Sequence, residues 1–448
     1  MQRRLTVLTL SSLIGVALCL LTACGDSSSR DKVIDEFNTE SDGRNLIVVI
    51  SDIHLGADLS YAEINENLPA LENFLKRIRA SRNVKELVIA GDLLDEWFVP
   101  APVDTYAGKD QADFVDRIVT ANAGVIGALN HIIQDGTILV TYTPGNHDLT
   151  IEVENIARIL PGINQARDKE EAAFGLGTYS PADYPTIAIE HGHRYNFFCA
   201  PDQFSNQDVA PGTILPPGYF FTRIGAQHAV QKCSESDNEV PMVTQNAAGG
   251  DSQDALYLYY KLWRFVLDEM FPIENTFVEK LIVTNVNGFT ATYSVNDLLP
   301  FQAEAGGLID VDLYAGVQDT WQQRCELNNV PVPIPVTRAI PGAAINALTD
   351  SMADTQYFKN PISDKKLVIF GHTHKAKIVA SQNLAGEKTL YANSGTWIDY
   401  KESLKNEITM HFLIITPQAD DAASETKVVL YNFVNEVVTK MDEDSVRL

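Results

Sequence analysis

The chain has 448 residues, 59 acidic and 34 basic, for a formal net charge of −25. Apolar residues make up 45% and charged residues 21%, too apolar for a disordered acidic segment and enough to bury a sizeable core. The charge argues against a protein that coats nucleic acid or holds anionic lipid through basic residues, but a local group of metal ions would still admit a phosphate-bearing substrate.

Arg3 and Arg4 precede Leu5 to Ala23, a stretch without a charged residue. A short basic start, an apolar run and a small residue before a cysteine read as a secretory signal, residues 1–23. The run is also about long enough to cross a bilayer, so a transmembrane anchor is the alternative. Leu21-Thr22-Ala23-Cys24 resembles the bacterial lipobox, which favours cleavage before Cys24 and a lipid on it. That resemblance implies an exported protein, lipid-anchored at the bacterial cell envelope on its periplasmic or outer face. Residues 24–45 read as a polar tether. Once Cys19 and Cys24 are set aside, Cys199, Cys233 and Cys325 remain. They permit one disulfide in an oxidising compartment, of unreadable pairing.

The first strong segment, Leu46 to Ile50, reads as a buried strand ending at Ser51-Asp52-Ile53-His54. A helix is expected from about Tyr61 to Arg82. Glu86 to Ala90 is strand-like and ends at Gly91-Asp92-Leu93-Leu94-Asp95. One helix is expected from Ala112 to Ile133. The strands Thr137–Tyr142, Thr186–Glu190 and Lys366–Phe370 then lead to Gly145-Asn146-His147-Asp148, His191-Gly192-His193 and Gly371-His372-Thr373-His374. Thr389–Ala392, His411–Ile415 and Lys427–Tyr431 look like further strands. The stretch 194–365 is too long for a loop and reads as an inserted cap or subdomain. Its aromatic helix around Tyr257–Leu267 reads as core packing. Residues 436–448 are expected to be a tail.

The recurring pattern is an apolar strand followed by a polar cluster. Ligands of α/β sheets bind beyond the carboxyl ends of the strands, so one shared site is the economical reading. Six of the nine histidines fall in these clusters: His54, His147, His191, His193, His372 and His374. His131, His228 and His411 do not, and read as ordinary core or surface residues. Imidazole, carboxylate and amide oxygen without thiolate suit Mn, Fe, Zn or Ni. Asp52 with His54, and His372 with His374, are two residues apart, which places each pair on one side of an extended segment. Asp92 is the natural carboxylate to bridge two ions. Such ions polarise a phosphoryl oxygen and generate a hydroxide that attacks phosphorus in line. A nearby imidazole can protonate the leaving group.

Taken together and in order, the five clusters resemble the signature blocks of calcineurin-like metallophosphoesterases. The resemblance covers residues 46–193 and 366–435. It implies an α/β fold, a two-sheet β-sandwich flanked by helices (αββα), here with a large inserted cap subdomain. It implies that Asp52, His54, Asp92 and His374 hold one divalent ion. Asn146, His191 and His372, with the bridging Asp92, hold the second. His147 resembles the family's general acid, and Asp95 the carboxylate that orients it. His193, Asp148 and Trp97 are expected to contact substrate or to support the ligands from behind.

The block Gly91–Trp97 lacks the phosphate-gripping arginine of the protein phosphatases and carries Glu96 and Trp97 instead. That block and Asn393–Trp397 are similar to bacterial UDP-diacylglucosamine hydrolases, yet those enzymes usually replace the histidine kept here as His147. Acidic residues outnumber basic ones in the insert, so a small phosphomonoester or phosphodiester fits better than nucleic acid. The expectation is dinuclear-metal-dependent phosphoester hydrolysis at the envelope, with the membrane held through Cys24. The alternatives are a non-catalytic, metal-stabilised surface lipoprotein and a nucleotide or nucleotide-sugar pyrophosphatase.

Overall fold

Two sheets lie face to face in the computed structural model, which describes residues 35–39, 41, 43–168, 175–399, 409–418 and 424–448. The signal segment, Cys24 and the first part of the tether lie outside the described residues. The larger sheet runs, edge to edge, Val437–Val446, Thr426–Val434, His411–Thr416, Leu46–Ile50, Val84–Ala90, Leu139–Thr143 and Asn164–Gln165. From Leu46–Ile50 to Asn164–Gln165 the neighbours are parallel. The smaller sheet runs Lys377–Gln382, Lys388–Asn393, Leu367–Phe370, Ile187–Glu190 and Thr178–Tyr179. Its three central strands are parallel to one another.

The pleat explains why both faces of these strands are apolar. Ile47, Val49, Val88 and Ala90 point between the sheets, against Ile187, Ile189, Leu367 and Ile369. Their alternate neighbours Val48, Ile50, Leu87 and Ile89 point outward, into a second core under the helices. A one-residue register slip would exchange the two sets. The helix Leu68–Ala80 closes this face with Leu71, Phe74, Leu75 and Ile78. The expected two-faced sandwich with flanking helices is therefore the observed architecture.

Several element boundaries differ from expectation. Residues 61–67 are turns, and the helix begins only at Leu68. The expected helix Ala112–Ile133 is two helices, Gln111–Ala121 and Ala123–Asp135. Asn122 separates them: its side-chain amide donates to the carbonyls of Ile118 at 2.8 Å and Gly56 at 2.9 Å. An asparagine competing for backbone groups breaks a helix without Gly or Pro.

The expected tail contains the strand Val437–Val446, antiparallel to Thr426–Val434. Its charged, exposed face marks an edge strand, which a composition-based reading takes for a tail. The tether ends sooner than expected. Phe37 is buried, stacked on Phe412 at 5.7 Å and edge-on to Phe74 at 5.9 Å. One large apolar side chain is enough to draw this polar segment onto the domain.

The insert shares the outer core rather than forming its own lobe. Arg223 is fully buried and donates to the carbonyls of Val99, Pro100, Ala101 and Val103. The aromatic helix, Gly250–Phe265, packs Tyr259 and Trp263 inward, with Trp263 stacked on Phe221 at 3.8 Å. Among the described residues, Cys199, Cys233 and Cys325 form no disulfide. Among the described residues no helix is long and apolar enough to cross a membrane.

Candidate metal centre

The five polar clusters meet at one end of the sandwich. They reach it through the backbone, not through the pleat. Asp52, His54, Asp92, His372 and His374 all have positive φ, between 51° and 68°. Each lies beyond its strand: Leu46–Ile50, Val84–Ala90 or Leu367–Phe370. Left-handed backbone is uncommon for non-glycine residues and clusters at functional sites. The pairing expected from an extended segment is thus replaced by turns. The partners of one pair separate: His374 Nε2 lies 3.0 Å from Asp52 Oδ1, while His372 Nδ1 lies 2.8 Å from Asn146 Oδ1.

Asp92 sits in the middle. Its Oδ2 lies 3.1 Å from His191 Nε2 and 3.6 Å from His54 Nε2, and its Oδ1 accepts the His147 backbone N–H at 2.8 Å. Two glycines make room for Asp92 and its partner His191. At Gly145 a Cβ would fall 2.1 Å from Asp92 Oδ1, and at Gly91, with φ of 89°, 2.3 Å from His191 Nδ1. His191 Nδ1 donates to the Ala90 carbonyl at 2.9 Å, which turns Nε2 toward Asp92 and Asn146. His54 Nδ1 lies 3.1 Å from both Asp95 Oδ2 and Glu63 Oε2. Its Nε2 is buried without a hydrogen-bond partner.

Electrostatics follow from packing carboxylates and imidazoles together out of water. Burial works against the charged form of His54, but Glu63, Asp95 and Asp92 raise its pKa to about 10. Burial likewise opposes charge on His191, and Asp92 and Asp52 raise it to about 9. Burial would raise Asp52, yet His374 and His191 hold it at about 2. Asp95 is driven well below the carboxylate range, burial being outweighed by the His147 and His54 rings. Burial and the neighbouring His191 lower His372 to about 3.

These residues fit divalent metal ions. Three groups of nitrogen and oxygen donors each lie within 4.8 Å: Asp52, His54 and His374; Asp52, Asp92 and His191; and His54, Glu63, Asp95 and His147. The orphaned His54 Nε2 is a buried ligand atom aimed at the carboxylates. Side-chain orientation by a second hydrogen bond, as at His54 and His191, is what metal-ligating imidazoles show.

In comparison with known families, residues 46–215 fit the model of the calcineurin-like phosphoesterases. No curated protein matches the chain. The phosphoesterase match starts with the first strand and continues past His193, into the region expected to be insert. The family is generally hydrolytic, and the buried His and Asp groups support metal-dependent phosphoester hydrolysis in general terms.

The structure brings together Asp52, His54, Asp92, Asp95, Asn146, His147, His191, His372 and His374. His147 Nδ1 lies 2.8 Å from Asp95 Oδ1. Trp97, His193 and Asp148 are buried behind them. Trp97 stacks on the His147 ring at 5.2 Å. His193 Nε2 donates to the Gly175 carbonyl at 3.0 Å. Asp148 accepts the backbone N–H groups of Gly145 at 2.6 Å and Leu93 at 2.8 Å, tying two of the loops together. Glu96, at the place of the missing arginine, accepts from Tyr106, Gln111 and Thr150.

Three residues of the site were not foreseen. Ser51 bonds Asp52 and Ser394. Glu63 comes from an irregular loop that carries no motif. Asp350 comes from the insert and accepts from Thr373 at 3.0 Å, from the Tyr391 hydroxyl and from Lys377. Asn393 donates to Gly371 O at 2.7 Å, so Asp350 and Asn393 together brace the loop bearing His372 and His374. Only Ser51, adjacent to Asp52, had a positional signal in the sequence.

Proposed function

We propose that the chain hydrolyses a small phosphoester with two divalent ions, at the cell envelope. Asp52, His54, Asp92 and His374 would hold one ion; Asn146, His191 and His372, with Asp92 between, the other. When bound, the ions supply Lewis acidity for the phosphoryl oxygens and lower the pKa of water. The chain's own residues do the rest. His147 delivers a proton to the leaving oxygen from Nε2, because Asp95 engages Nδ1. Asp95, kept ionised by its two imidazoles, fixes the ring's orientation. Trp97 covers one face of that ring and keeps water from it.

The single observation that carries this reading is the His147–Asp95 pair beside Asp92. A metal site kept only for stability has no use for an imidazole held in this way. The test is turnover of 4-nitrophenyl phosphate and bis(4-nitrophenyl) phosphate by the Mn²⁺-loaded full chain in detergent. Cleavage of either is expected, and their ratio separates monoesterase from diesterase. Failure to cleave both, with metal bound, sinks the hydrolase reading in favour of a binding protein.

The location rests on Arg3, Arg4, the apolar run and Leu21–Cys24. Lipid on Cys24 would place the domain at the membrane surface by a tether that ends near Asp35. Cys24→Ala should move the protein from the membrane fraction to the soluble one; unchanged partition would contradict the lipid anchor.

A further inference from the structure

The cleft at the candidate centre has a volume of about 570 Å³, within the range of small-molecule sites. Its walls differ in chemistry. One wall is the polar one, with Asp92, Asn146, His147, His372 and His374. The other is apolar and comes from the insert, with Phe221, Met270, Phe271 and Ile345. Phe221 is held rigid by its stack on Trp263. Met270 and Ile345 remain 37% and 57% exposed. Exposed hydrocarbon continuous with a catalytic cleft has a cost in water that a matching ligand removes. Among the cleft's lining residues Lys375 is the single lysine or arginine.

We infer that the substrate's esterifying group is apolar, an alkyl chain or aryl ring that lies along the insert wall with the phosphate at the polar wall. This rests on the phosphoesterase reading above and adds the substrate class. Hydrolysis adds one water across the ester: its oxygen bonds phosphorus, the P–O bond to the apolar group breaks, the leaving oxygen takes a proton from His147 and departs as an alcohol or phenol, and a proton of the attacking water replaces the one His147 gave. A nucleotide suits the cleft less well. Its base edges and ribose would meet a wall of hydrocarbon and leave polar groups unpaired. A diphosphate or triphosphate would find one lysine.

The test uses methyl-, propyl- and hexylphosphonate, whose P–C bond is not hydrolysed, titrated calorimetrically into the Mn²⁺-loaded full chain with a detergent blank. Each methylene should tighten Kd about two- to fourfold, so that hexylphosphonate binds at least about 30-fold more tightly than methylphosphonate. Ile345→Asp and Met270→Asp should each reduce the hexyl-to-methyl ratio. Ile362→Asp, at a site 86% exposed and outside the cleft, should not. A flat series, or uridine monophosphate binding more tightly than hexylphosphonate, overturns the inference even if 4-nitrophenyl phosphate is cleaved. A steep series in a protein that cleaves no ester instead overturns the hydrolase reading and leaves an apolar-phosphate binding site.

Discussion

His147 Nδ1 and Asp95 Oδ1 lie 2.8 Å apart, and the other oxygen of the same carboxylate lies 3.1 Å from His54 Nδ1. One buried acid thus orients both the candidate proton donor and a candidate metal ligand. His147→Ala should keep its metal and lose about 10²–10⁴ in kcat. Asp95→Asn should lower both kcat and metal affinity, because it loosens His54 as well. Metal content and steady-state rates check this. A His147→Ala enzyme as fast as wild type would remove the role given to His147.

Asp92 has a different signature. It contacts His54, His191 and the backbone of His147. Asp92→Ala should lose bound metal and activity together, read by elemental analysis of the purified protein. Full metal content in this variant would show that Asp92 does not bridge.

Metal loading should release protons. In the metal-free chain His54 and His191 titrate at about 10 and about 9, above their ordinary 6.5. Both are therefore charged near neutrality, and a ligating nitrogen must give up its proton. Calorimetric titration with Mn²⁺ in buffers of different ionisation enthalpy should show about two protons released per chain near pH 7.5, and affinity that falls as pH is lowered. The sign for metal-free stability is the reverse. A raised pKa adds stability that is full below about 6.5 and is lost as pH rises through about 9 to 10. The metal-free protein should accordingly melt lower at pH 10 than at pH 6.5, with the two histidines adding to that fall. Buffer-independent heats would contradict the protonated imidazoles.

Asp350 should act from the insert on the last loop. It accepts from Thr373, Tyr391 and Lys377, between and beside His372 and His374. Asp350→Ala should weaken metal binding about 10- to 100-fold. Asp350→Asn, which keeps an acceptor for Thr373 and Tyr391, should recover part of that loss. Equal metal affinity in all three proteins would leave Asp350 a purely structural residue.

The sandwich was legible because its strands are short apolar runs closed by polar clusters. The clusters could be read as one site because six histidines do not fall at strand ends by chance. What escaped was set by tertiary context. The left-handed turns at Asp52, His54, His372 and His374 leave no periodic trace, so the alternation rule puts His372 and His374 together where the turns send them to different partners. Asn122 breaks a helix through side-chain bonds that composition does not reveal. Glu63 and Asp350 reach the site from an irregular loop and from the insert, neither of which carries a motif. The strand Val437–Val446 is charged on its open side and packs few apolar groups inward, so it reads as a tail.

The most direct measurement is the rate of 4-nitrophenyl phosphate and bis(4-nitrophenyl) phosphate hydrolysis before and after stripping with a chelator, followed by stepwise reloading with Mn²⁺. The stripped protein should be inactive, and activity should return to a plateau at two ions per chain. Activity unchanged by stripping, or none at any metal loading, would contradict metal-dependent phosphoester hydrolysis at this site.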